Sequence, residues 1–173
     1  MPLDLDDPKA VDYSGSTNLL PFDAYGDFDL ALLSFTESGP PGTEDNPGDK
    51  EYDLALCRVL KSTNPAISAD EETGLFFQTG GDGMTVKNRP FKAANERAFM
   101  AACFDKNPKD PAFKGKDARK ELLAADLQEG NAVHVRLYRR KGNPMLDDKK
   151  QPVLDEITQE PRFWNDDKYI SIP

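Results

Sequence analysis

The chain has 173 residues, a formal net charge of -9 and an apolar fraction of 38%, which suits one domain able to bury most of its unfolded surface. With one histidine and two cysteines, a zinc centre built from clustered His and Cys ligands is excluded. No apolar run is long enough to span a bilayer, and the acidic opening MPLDLDDPK has neither the basic nor the apolar part of a secretory leader.

The charge is unevenly spread. Residues 1–53 carry 13 acids and 2 bases, whereas residues 83–150 carry 16 bases and 9 acids. An acidic arm beside a basic segment fits a nucleic-acid protein that tempers its own groove, and equally any chain with a polar tail. Cys57 and Cys103 lie 46 positions apart in apolar segments and read as two reduced core thiols. A cytoplasmic setting is expected.

In chain order, residues 1–26 read as an extended acidic arm, and residues 27–173 as a single β-rich domain. FDLALLSFTES (28–38) alternates like a strand. GPPGTEDNPGDK (39–50) is a loop, because its prolines and glycines break regular structure. YDLALCRVLKS (52–62) repeats the earlier strand at an offset of 24, with five of eleven positions identical. Two core strands converging on one pattern explain this without a duplication, and they should pair as an antiparallel hairpin. TGLFFQTGG (73–81) supplies a third strand. Pro90 sits at a first helical position, opening a core-packing helix near 91–104 that presents Phe91, Ala94, Ala98, Ala101 and Ala102, with Phe99 and Cys103 beside them. After a lysine-rich loop, Asp117 caps a second helix near 117–129, which Gly130 closes. AVHVRLYRR (132–140) is the best-formed strand. Residues 145–160 are ambiguous, and RFW with YISI form a closing strand that should bury Trp164. The expected fold is mainly β with a helical insertion (α+β): an OB-like Greek-key barrel plugged by a helix, or alternatively a β-sandwich with a helical insert.

Catalytic chemistry finds little footing. His134 sits between two valines with no nucleophile motif near it. TGGDGMTVK (79–87) lacks the lysine and hydroxyl that a phosphate loop places after its second glycine. The acid clusters Asp4/Asp6/Asp7, Asp70/Glu71/Glu72, Asp147/Asp148 and Asp166/Asp167 lack calcium-loop spacing. The reading is a non-enzymatic protein without a cofactor. What remains is HVRLYRRKGNP (134–144). As a strand it puts His134, Arg136, Tyr138 and Arg140 on one side, with Val133, Val135 and Leu137 on the other. Single-stranded nucleic acid needs cations for its phosphates and rings for base stacking, and this row alternates both. Arg139 and Lys141 extend the charge into the turn. Lys106, Lys109, Lys114, Lys116, Arg119 and Lys120 would line a neighbouring edge if the helical insertion folds over the same mouth. A strand with one wet face shows the same alternation without any ligand.

EYDLALCRVLKS, the glycine-bounded strand, RPF…NERAFMAA and LLAADLQEGNAVHVRLYRR together resemble small bacteriophage replication-module proteins, over about residues 50–141. The resemblance implies an OB-like barrel that binds single-stranded DNA in the host cytoplasm, with itself or other viral proteins as further partners. The ending NDDKYISIP departs from it, lacking a long acidic tail closed by an aromatic. Two other functions suit the same chain: a virion or assembly protein docking through its extended arm and loops, or an inhibitor whose acidic residues 1–53 mimic nucleic acid.

Overall fold

The computed structural model describes residues 3–13, 25–39 and 48–172. Five strands form one antiparallel sheet: β1 (Gly26–Ser38), β2 (Tyr52–Ser62), β3 (Glu72–Gln78), β4 (Val133–Pro144) and β5 (Phe163–Ser171), in the order β3-β2-β1-β4-β5. The helices are α1 (Pro8–Tyr13), α2 (Arg89–Cys103) and α3 (Gly115–Ala124). The expected hairpin, third strand and first helix are all present, and the pairing defines one open sheet with α2 and α3 inserted between β3 and β4 and α1 preceding β1. No second sheet packs on it among the described residues.

Side-chain alternation decides which face is covered. Phe28, Leu30 and Leu32 of β1 are buried with Ala55, Cys57 and Val59 of β2, Leu75 and Phe77 of β3, Val135 and Leu137 of β4 and Tyr169 of β5. An irregularity between Leu32 and Ser34 resets the period of two, so Phe35 also faces inward. Helix α2 lies on this face. Phe99 meets Phe35, Phe77 and Tyr169 at ring-centroid distances of 6.3, 4.9 and 5.4 Å. Phe77 and Tyr169 belong to the two edge strands, yet their rings are 6.3 Å apart. In a flat sheet four strand spacings of about 4.8 Å would hold those edges about 19 Å apart. The sheet therefore curls around α2, with Phe99 at the centre. Helix α1 packs against α2 from the other side, and α3 touches both α2 and β1. Every residue from Ala93 to Ala102 is buried, as a helix covered all round requires.

Several expectations are corrected. Phe91 is 44% exposed, because the inward side of α2 belongs to Ala94, Ala98 and Phe99 while Phe91 sits on the first turn. The second helix ends at Ala124, not 129, since Ala125 turns to extended backbone at ψ 138°; Gly130 lies in a short 3-10 turn. Its N-terminus is capped from elsewhere in the chain: the Asp6 carboxylate accepts the N–H groups of Gly115 at 2.7 Å and Lys116 at 3.3 Å. Trp164 is 47% exposed, because the inward positions of β5 are taken by Asp167 and Tyr169. Residues 145–162 continue the β4–β5 hairpin through bridges Leu146↔Pro152 and Leu154↔Pro161. Cys57 and Cys103 are free thiols, and burial pushes Cys57 up to about 12.

The extended arm expected over 1–26 does not describe Leu3–Tyr13, where Leu3, Leu5 and Ala10 are buried; residues 14–24 of that segment lie outside the described residues. Arg97 anchors this part. Its buried guanidinium donates Nε–H to Pro108 O, Nη1–H to Leu5 O and Asp6 Oδ1, and Nη2–H to Asp110 O and Phe113 O, at 2.7–3.1 Å. It also lies 5.0 Å from the centroid of the Phe113 ring. All five donors of the fork are used. Arg97→Met should cost about 3–5 kcal/mol, because it leaves four carbonyls without this donor and takes the guanidinium from Asp6, which keeps only its two backbone N–H donors. Asp6→Asn should cost less, about 1–2 kcal/mol, since the backbone acceptors keep their donor. Urea unfolding of the two variants checks both the size and the order.

Candidate functional site

On the outward face of the sheet, strand β4 presents His134, Arg136, Tyr138 and Arg140, while Val135, Leu137 and Arg139 point into the core. The four outward residues are brought together as the alternation predicts. Register places Ala31, Asp29 and Asp27 of β1 beside His134, Arg136 and Tyr138. On the other flank, Ile170, Lys168 and Asp166 of β5 lie beside Arg136, Tyr138 and Arg140. The three helices sit on the inward side, so none of them lies over this row. Exposed apolar side chains share the outward face: Ile170 and Trp164 on β5, Leu60 on β2 and Phe76 on β3.

The row is electrostatically tempered. Arg136 Nε donates to Asp29 Oδ1 at 2.7 Å and Nη1 to the Tyr138 hydroxyl at 3.2 Å. Arg140 pairs with Asp27 at 2.5 Å. Both guanidiniums flank the Tyr138 ring, their carbons 5.9 and 5.6 Å from its centroid. The Asp29 hydrogen bond, followed by that to Tyr138, raises the proton affinity of Arg136. The aspartates thus hold both arginines upright along the face.

The remaining candidates lie elsewhere. Arg139 is fully buried on the core side, where it grips Asp167 through Nε–H to Oδ1 at 2.9 Å and Nη2–H to Oδ2 at 3.0 Å. It holds β4 to β5 and is not part of the outward row. Lys141 follows Arg139 on the inward row, past the end of the core, with Nζ 5.6 Å from the Tyr25 ring centroid and 5.3 Å from that of Phe163. Lys114 and Lys116 belong to the helical layer. Lys114 Nζ donates to Pro111 O, and Lys116 pairs with Asp4 at 3.0 Å. The helical insertion therefore packs behind the sheet and does not line the mouth of the outward row.

A second cluster, missed in the sequence, joins β1, β2, α2 and α3, with Asp53 and Glu96 buried, Arg119 partly buried and Glu37 half-exposed. Arg119 donates to Asp53 through Nε and Nη2, at 2.5 and 2.8 Å, and to Glu37 at 2.9 Å. Glu96 is wholly buried beside them, its Oε1 3.5 Å from Arg119 Nε. Burial, then the neighbouring Asp53 carboxylate, lifts Glu96 well above the ordinary carboxylate range. The contact with Asp53 raises Arg119. A signal for Asp53 was available, since it occupies an inward position of β2 in step with Ala55 and Cys57. Among the described residues no group of three or more His, Cys, Asp or Glu is placed to hold a metal ion, and no helix is long and apolar enough to cross a membrane.

No protein-family model, curated protein or solved structure matches the chain.

The Glu96 environment sets a pH dependence. The folded state holds the Glu96 proton more tightly than the unfolded chain, whose carboxyl titrates near 4.5. The folded state then binds more protons, so this group's contribution to stability falls as pH rises from about 4.5 through the raised value. Glu96→Gln removes that slope. In urea unfolding at pH 5 and pH 8, wild type should lose stability relative to E96Q at the higher pH; parallel behaviour would mean that Glu96 enters the fold ionised.

Proposed function

We propose that the protein binds single-stranded nucleic acid, without catalysis, on the outward face of the sheet, with DNA of a bacteriophage replication module as the natural ligand. One observation carries this reading: Tyr138 stands between two guanidiniums on a strand row that no helix among the described residues covers. A ring for stacking and cations for phosphates are what a single strand needs, and each stacked base is worth about 1–3 kcal/mol. The strand positions them without flexible loops, which reduces the ordering cost of binding.

Asp27 and Asp29 shape the affinity. An incoming phosphate competes with them for Arg140 and Arg136, so binding is weaker than the arginines alone would give. It is also selective for a ligand that offers stacking together with charge. Support for an OB-type reading of the fold comes from the strand order, with a three-strand meander, a helix, and two strands added beyond β1. The approach of the two edge strands through Phe77 and Tyr169 points the same way. In OB-type barrels, oligonucleotides lie on the face of the second and third strands and the loops beside it, whereas the Tyr138 row is on β4, across β1 from β2.

Trp164 is the chain's single tryptophan and lies on this face, so its emission reports binding directly. Oligo-dT at low salt should quench it, with affinity falling steeply as salt rises because counterions are released. Arg136→Ala with Tyr138→Ala should weaken binding at least about tenfold, with little change in thermal midpoint. Asp29→Asn should tighten binding severalfold by removing the competing carboxylate. Flat fluorescence and anisotropy with tens of micromolar protein at low salt would end the proposal.

A further inference from the structure

Strand β5 is an edge of the sheet: it pairs with β4 on one side and with no strand on the other among the described residues. Of the helices and strands, only β4 and α2 come within 8 Å of it, Cα to Cα, and α2 lies on the inner face. The backbone N–H and C=O groups along such an edge are a template for another strand. Edges are commonly blunted by charged side chains, which repel a second copy when they carry one sign. The charges of β5 carry both.

The outward row of β5 runs Trp164, Asp166, Lys168, Ile170, and all four side chains are exposed. Neither Asp166 nor Lys168 forms an ion pair among the described residues. Arg140 stands beside Asp166 in the register but is taken by Asp27. From either end the row therefore reads apolar, charged, charged, apolar, with opposite signs at the centre. Such an order is its own complement. In an antiparallel pair related by a twofold axis, residue i meets j and j meets i.

We propose that β5 pairs antiparallel with β5 of a second copy of this chain, about a twofold axis at Asp167, joining the two five-stranded sheets edge to edge. In that register Asp166 faces the partner's Lys168, and Lys168 faces the partner's Asp166. Trp164 and Ile170 likewise face the partner's Ile170 and Trp164. Side chains directly opposed in this way lie about 4.5–5.5 Å apart at Cβ, close enough to pair. The charges also fix the register. Moving the axis by one residue, to Asp166 or to Lys168, sets that charge against its own copy, which is destabilising. In the dimer the two outward faces form one surface, with a Tyr138 row on each side of the axis. None of the four pairing residues belongs to that row, so the dimer does not depend on the nucleic-acid reading.

Light scattering of the full chain over a dilution series from hundreds of micromolar tests this. Wild type should form a dimer that dissociates on dilution. Trp164 emission should shift to the blue as the dimer forms, because the partner's Ile170 covers the ring. Asp166→Lys or Lys168→Asp alone opposes like charges at both pairs and should weaken the dimer at least about tenfold. D166K combined with K168D re-creates the complement and should restore dimerisation to near the wild-type level, which a merely destabilised fold would not do. The Arg136→Ala, Tyr138→Ala variant should dimerise as wild type does, so loss of the dimer and loss of oligo-dT binding report separately. A chain that stays monomeric at hundreds of micromolar overturns the proposal. So does a dimer that the single reversals leave unchanged, or one that the double exchange fails to restore.

Discussion

The guanidinium of Arg97 ties together parts of the chain that are far apart in sequence. Helix α2 cannot sit alone on the curled sheet, because its far side would face water with alanines and a buried arginine. By taking the carbonyls of Leu5, Pro108, Asp110 and Phe113 and the Asp6 carboxylate, Arg97 draws the N-terminal segment and the 105–114 loop over that side. Asp6 in turn supplies the N-terminal cap of α3, whose Arg119 then reaches the carboxylates of β1 and β2. The order of dependence runs from one side chain to a helix cap to the acidic cluster. A buried charge tolerates this position only because every donor is matched.

The two faces of β4 show the same residue type used in opposite ways. Arg139 is inward, fully buried and closed by Asp167, where it fastens the last strand. Arg136 and Arg140 are outward, partly solvated and held by Asp29 and Asp27. In water such pairs are weak, so the outward arginines can exchange partners while Arg139 cannot. This contrast separates structural charge from charge available to a ligand.

Local pattern was legible wherever it sets structure. The hairpin, the third strand, the Pro90 helix start and the outward set His134, Arg136, Tyr138 and Arg140 all follow from periods of 2 and 3.6 and from breaker residues. The same alternation that sent Val135 and Leu137 inward also sends Arg139 inward, and an inward arginine requires a carboxylate; Asp167 occupied an inward position of the last strand and could have been matched to it. Other features were not legible because they depend on contacts between distant residues. Nothing near Gly115 announces that Asp6 caps its helix, and acidic Leu3–Tyr13 looked like a free arm because its buried side chains are few. The ending at Ala124 was hidden by good helix formers that continue past it. Trp164 was expected inside on a closing strand, whereas strand parity put Tyr169 there instead.

Wrapping the sheet about Phe99 has a geometric cost for whatever lies outside. As the inner surface closes, the outer one becomes a crest, with its rows of side chains fanning apart. A rigid duplex laid along a crest touches only at the summit and leaves its flanks in solvent. A pliable chain could drape over both slopes, so under the proposed function the bend that packs the hydrophobic interior would also favour a flexible ligand on the exterior.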